Sequence, residues 1–78
     1  MIITLVQLIK IISAGGNLVI NGSDWTLGQL KEMAKAAGAA GNSTLLIKNI
    51  ANITPEHLGQ IAALAPGKIS FELTVTSM

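Results

Sequence analysis

The sequence predicts an α/β fold: three α-β units forming a small parallel sheet with helices on one face. Three observations predict it. Apolar residues at helical spacing alternate three times with short β-type runs, each helical stretch opens on a threonine preceded by a large apolar residue, and each closes on glycine or proline–glycine. The order α-β-α-β-α-β follows, and short right-handed connections make successive strands parallel neighbours. The chain is read as one domain over residues 1–78, with units at 3–21, 25–48 and 53–76.

The first unit opens with Ile3 and Thr4, a staple residue and an N-cap, and Gln7 three positions on completes a T-x-x-Q capping box. A helix over about Thr4 to Ala14 is expected to turn Ile3, Leu8, Ile11 and Ile12 inward and to leave Leu5, Val6 and Ile9 on other sides. Gly15-Gly16 stops it, and Asn17 to Asn21 reads as a strand partly covered on both faces, because Leu18, Val19 and Ile20 are consecutive and apolar. Asn21 to Asp24 is a turn in which Ser23 and Asp24 are placed to cap.

The second unit repeats this order with Trp25, Thr26, Gln29 and Leu30. Its helix is expected over about Leu27 to Ala37, with Lys31, Glu32 and Lys35 outward, and Gly38 to Ser43 reads as an insertion because Thr54 follows Thr26 by 28 residues while Thr26 follows Thr4 by 22. Its small residues suit close approach to a neighbouring helix. Thr44 to Lys48 is the second strand. In the third unit Thr54 is the cap, Pro55 fills the first helical position, Glu56 sits at the positive end of the helix dipole, and His57 takes the third box position. After Pro66-Gly67, Ile69, Phe71, Leu73 and Val75 alternate with polar residues as a long third strand. Matching Ile20, Ile47 and Phe71 sets Leu18, Leu45 and Ile69 side by side, makes a row of Val19, Leu46 and Ser70 on the opposite face, and brings Lys48 beside Glu72.

These residues, Leu45-Leu46-Ile47, then the helix around Leu58 to Leu64, then Ile69 and Phe71, resemble the ribonuclease-inhibitor type of leucine-rich repeat. That resemblance implies a curved solenoid that contacts proteins and carries no enzymatic activity. Where the family's pattern has asparagine after the strand, this chain has Ser23, Ile50 and Thr74.

Composition narrows the function classes. Half of the 78 residues are hydrophobic and 12% are charged, and there is no cysteine. Mean hydropathy is +0.59. A monomer this small has little interior in which to hide that much apolar surface, so some is expected to be buried between molecules. The apolar runs are too short and too interrupted by Lys10 to span a membrane, a basic leader region is missing, and one lysine on the first helix disfavours a membrane surface; a cytoplasmic location is the default expectation. A net charge of +1 without a basic cluster argues against nucleic acid.

No catalytic, metal or cofactor-binding residue is expected. His57 is the lone histidine, and Asp24, Glu32, Glu56 and Glu72 each have a structural place in turn, helix face, helix start and strand. The glycine pairs follow helices instead of preceding them, so they do not present helix N-terminal amides to a phosphate. The expected partner is a second copy of the chain, meeting it through uncapped strand edges and the apolar first helix, in a filament or a closed dimer. The expected interface residues are Leu5, Val6, Ile9, Val19, Leu46, Phe71, Leu73 and Val75. The alternative is an adaptor that takes up a different protein on the Val19/Leu46 face or a strand edge, with Trp25 as a candidate anchor.

Overall fold

The computed structural model of the chain describes residues 3–72. In order these form α1 (Leu5–Ser13), β1 (Leu18–Asn21), a 3-10 turn (Gly22–Asp24), α2 (Leu27–Ala40), β2 (Leu45–Lys48), α3 (Pro55–Ala63) and β3 (Ile69–Phe71). The sheet order is β1-β2-β3. Both pairings are parallel, and the register sets Leu18, Leu45 and Ile69 in one row and Ile20, Ile47 and Phe71 in another. This is the register the sequence predicts. Side-chain alternation excludes a one-residue slip, which would turn both apolar rows out of the core.

That face carries the helices. Ile20, Leu45 and Ile47 are buried together with Leu8 and Ile12 of α1, Leu30, Met33, Ala34 and Ala37 of α2, and Ile61 of α3. The opposite face holds Val19, Leu46 and Ser70, and the Lys48 ammonium lies 3.5 Å from the Glu72 carboxylate. Both ends of that pair are about half exposed, so it contributes at most about 1 kcal/mol.

Each helix begins where its threonine stands. Thr4 accepts a hydrogen bond from the Gln7 amide at 3.2 Å while Gln7 Oε1 accepts from the Thr4 amide at 2.9 Å, and Thr26 and Gln29 form the same reciprocal pair at 3.2 and 2.8 Å. Thr54 accepts from the His57 amide at 3.3 Å, with Pro55 opening α3. Each cap stabilises its helix by about 1 kcal/mol. After α1, the Gly16 amide donates to Ile11 and the Gly15 amide to Ile12, the pairing of a Schellman stop. After α3, Lys68 donates to the Ala65 carbonyl across Pro66-Gly67, closing a tight turn into β3.

Three expectations are corrected. Helix α2 does not end near Ala37; the segment read as an insertion adds a further turn, to Ala40, and the chain leaves the helix at Gly41 with φ 81°. At Gly38 the chain leaving α3 passes over the helix: a Cβ there would lie 2.6 Å from the Leu64 carbonyl oxygen. The turn after β1 is capped by Asn21, not by Ser23 or Asp24: its Oδ1 accepts from the Ser23 amide at 3.1 Å and the Ser23 hydroxyl at 2.7 Å. Ile11, expected inward, is exposed. For the third strand, Ile69–Phe71 is formed and the Glu72 amide still donates to Ile47, while Leu73 and Val75 lie outside the described residues.

The strand starts are tied as well. Asn17 Oδ1 accepts from both the amide and the hydroxyl of Thr44 at 3.0 Å, and the buried Ser43 hydroxyl donates to the Gly16 carbonyl. Ile50, at one of the positions where the leucine-rich-repeat pattern has asparagine, is buried in the core. Its neighbour Asn49 takes a left-handed φ of 55° and donates from its side-chain nitrogen to Asn21 Oδ1 at 3.0 Å.

Candidate functional site

The surfaces that distinguish this molecule are its two ends. They are built from positions counted from the caps. Seven residues after Thr4, Thr26 and Thr54 stand Ile11, Met33 and Ile61. Met33 lies roughly 140° round α2 from Gly38, the residue that touches α3, so it points to the α1 side. Ile61 shares the side of α3 that carries Leu64, which meets Gly38. Position seven therefore faces the preceding helix, and Met33 and Ile61 are both 0% exposed there. Among the described residues no helix lies on the outer flank of α1, and Ile11 is 39% exposed.

The opposite flank behaves in mirror fashion. Eight residues after the caps stand Ile12, Ala34 and Ala62, and four after them Leu8, Leu30 and Leu58. The first two of each set are buried, whereas Ala62 and Leu58, on the far side of α3 from α2, are only half-buried. The sheet repeats this gradient. Leu45 and Ile47 of the central strand are sealed, while Leu18, Ile69 and Phe71 on the outer strands are half-buried against the core and Ile20 of β1 is buried.

The strand edges point the same way. The Leu18 amide donates to Thr44, so the alternation of a parallel strand turns the backbone groups of Asn17, Val19 and Asn21 to the free edge of β1. Lys68 accepts from Leu45 and Glu72 donates to Ile47, which leaves the backbone groups of Ile69 and Phe71 on the free edge of β3. Beside the β1 edge an open cleft of about 530 Å³ is lined by Ile3, Leu8, Val19 and Trp25 among others; beyond α3 a second, of about 330 Å³, is lined by Ile50, Ile53, Leu58 and Glu72 among others.

The expected interface residues do not gather into one patch. Val6 at 66% and Val19 at 63% are the most exposed large apolar side chains described, and they lie on opposite faces, one on the solvent side of α1 and one beneath the sheet. Leu5 and Phe71 are half-buried against the core, and Ile9 and Leu46 are half-exposed. Leu73 and Val75 lie outside the described residues. The residue that the sequence reading set inward, Ile11, is the one that marks the outer flank of α1. Its signal was available in the cap-counted alignment with Met33.

Trp25 is half-buried and packed against the core before α2, the place of a staple residue. His57 lines the groove between α2 and α3 with Trp25, Leu27 and Leu30, a recess of about 210 Å³. Among the described residues no three acids, histidines or cysteines gather where they would hold a metal ion, and no helix is long and apolar enough to cross a membrane. No family model, curated protein or solved structure matches the chain.

Proposed function

We propose that the chain is a self-assembling structural protein, a short α/β solenoid of three cap-helix-strand units whose copies join through strand edges and apolar helix flanks. The observation that carries this reading is the exposure of Ile11 at a position whose counterparts, Met33 and Ile61, are sealed. Covering the part of Ile11 that is still exposed gains on the order of 1 kcal/mol, and among the described residues the open edges of β1 and β3 add unpaired backbone donors and acceptors to the same two ends. Solenoids that remain monomeric cover such ends with polar caps.

Light scattering over a hundredfold range of concentration tests this, with mass rising with concentration as the expected result. A concentration-independent monomer would overturn it. A second reading rests on Val19, exposed beside the half-exposed Leu46 on the face away from the helices: an adaptor that binds a different protein there. Leu46→Lys separates the two, since Leu46 lies on that face of the central strand β2, away from both edges, so the substitution abolishes binding in an adaptor and leaves edge-to-edge assembly in place.

A further inference from the structure

We infer that copies join head to tail, the α3/β3 end of one molecule seating on the α1/β1 end of the next, with the same register as the internal pairings. This rests on the self-assembly reading and names its geometry.

Two surfaces on one molecule carry the two halves of a seam that already exists twice inside it. In the α1–α2 and α2–α3 seams, position seven of the following helix is sealed, as are positions four and eight of the preceding helix. Ile11 at one end supplies an uncovered position seven; Leu58 and Ala62 at the other supply half-covered positions four and eight. Neither end offers these groups to its own kind, because Ile11 against Ile11, or Ala62 against Ala62, sets two like halves together. A second copy in the same orientation supplies the missing half.

The strands agree. Ile69 and Phe71 present outward backbone groups on β3, in the way that Leu18 and Ile20 present theirs toward β2. Asn17, Val19 and Asn21 present theirs on β1, in the way that Thr44, Leu46 and Lys48 face β1. Continuing the ladder therefore sets Ile69 against Leu18 of the next copy and Phe71 against its Ile20, so the half-buried Leu18, Ile69 and Phe71 gain cover at the seam, while Ile20 is already buried. On the opposite face Glu72 comes beside the Asn21 amide, with no like charges opposed. A heterologous contact of this kind closes into a ring or runs on as a filament, according to the rotation per copy.

The experiment uses two full-length variants, Ile11→Asp and Ala62→Glu, each burying an unpaired charge at one end, with size-exclusion chromatography and light scattering as the readout. Wild type is expected to assemble beyond a dimer, and each variant alone to weaken that association roughly a hundredfold or more. An equimolar mixture of the two is expected to form a one-to-one heterodimer and nothing larger, because it has one intact α1 end and one intact α3 end. Loss of assembly in Ala62→Glu with Ile11→Asp unaffected would mean a two-fold pairing of α3/β3 ends and would overturn the inference while leaving self-assembly intact. Unchanged assembly in both variants would overturn it in favour of another surface, and a wild-type monomer would overturn the underlying reading as well. Should circular dichroism show either acidic variant unfolded, Ile11→Gln and Ala62→Lys take their places under the same criteria.

Discussion

Met33 and Ile11 stand at the same distance from their caps, on helices that begin with the same reciprocal threonine–glutamine pair, yet one is sealed against a neighbouring helix and the other meets solvent. The same contrast separates Ala34 from Ala62 and Ile47 from Phe71. In each case the local chemistry is alike and only the presence of a neighbour differs. An interior position and an end position are therefore distinguished by what packs on them, and substitutions at matched sites measure that difference directly.

The largest effect is expected from truncating position seven. Ile61→Ala leaves a cavity in a fully packed seam and is expected to lower stability by about 2–5 kcal/mol in urea denaturation, whereas Ile11→Ala in dilute monomer costs under about 1 kcal/mol. Equal losses at the two sites would break the contrast. Next come the glycines. Gly38→Ala drives a Cβ to 2.6 Å from the Leu64 carbonyl and is expected to cost about 1–3 kcal/mol, while Gly59→Ala on α3, with nothing within 4 Å, is expected to stabilise by up to about 1 kcal/mol through helix propensity. Thermal unfolding midpoints moving in opposite directions would check both.

Smaller effects sharpen the picture. Thr26→Ala removes the cap of the central helix and is expected to cost about 1 kcal/mol. Thr4→Ala should cost less globally, because among the described residues α1 packs on a helix on one side only and can fray without opening the rest, a difference visible in amide hydrogen exchange. Least of all, Lys48→Met is expected to change stability by under about 1 kcal/mol and to remove any salt dependence arising from its pairing with Glu72.

Much of the fold was legible because its signals are local. Thr4, Thr26 and Thr54 with their third-position partners mark helix starts through hydrogen bonds within one turn, the period of Leu18/Ile20, Leu45/Ile47 and Ile69/Phe71 fixes the face, and matching Ile20, Ile47 and Phe71 sets the register. Two of the three misreadings, the end of α2 and the side of Ile11, concern neighbours distant in sequence; the Asn21 cap is local, a bond to Ser23 two residues on. Gly38 to Ser43 reads as an insertion by the spacing of the caps, and its first three residues continue α2, where the absence of a Cβ at Gly38 leaves room for the Leu64 carbonyl. Asn21 displaced Ser23 and Asp24 as the cap because it sits at the strand end, where Asn49 from the next connection also reaches its side chain. The candidate site was half legible. Val6 and Val19 were expected to be exposed and are, but Ile11 was placed inward because a helical wheel shows which side is apolar and not which sides have company.

By itself, then, the sequence determined where each helix starts, which strand residues share a face, and that the sheet is parallel, since capping, side-chain alternation and short right-handed connections act within a unit or between adjacent units. Only the tertiary structure decided how far α2 extends, which flank of α1 is bare, and which backbone groups of β1 and β3 are left at the edges. Those depend on a packing partner being present on one side and missing on the other, and no residue encodes its own neighbour.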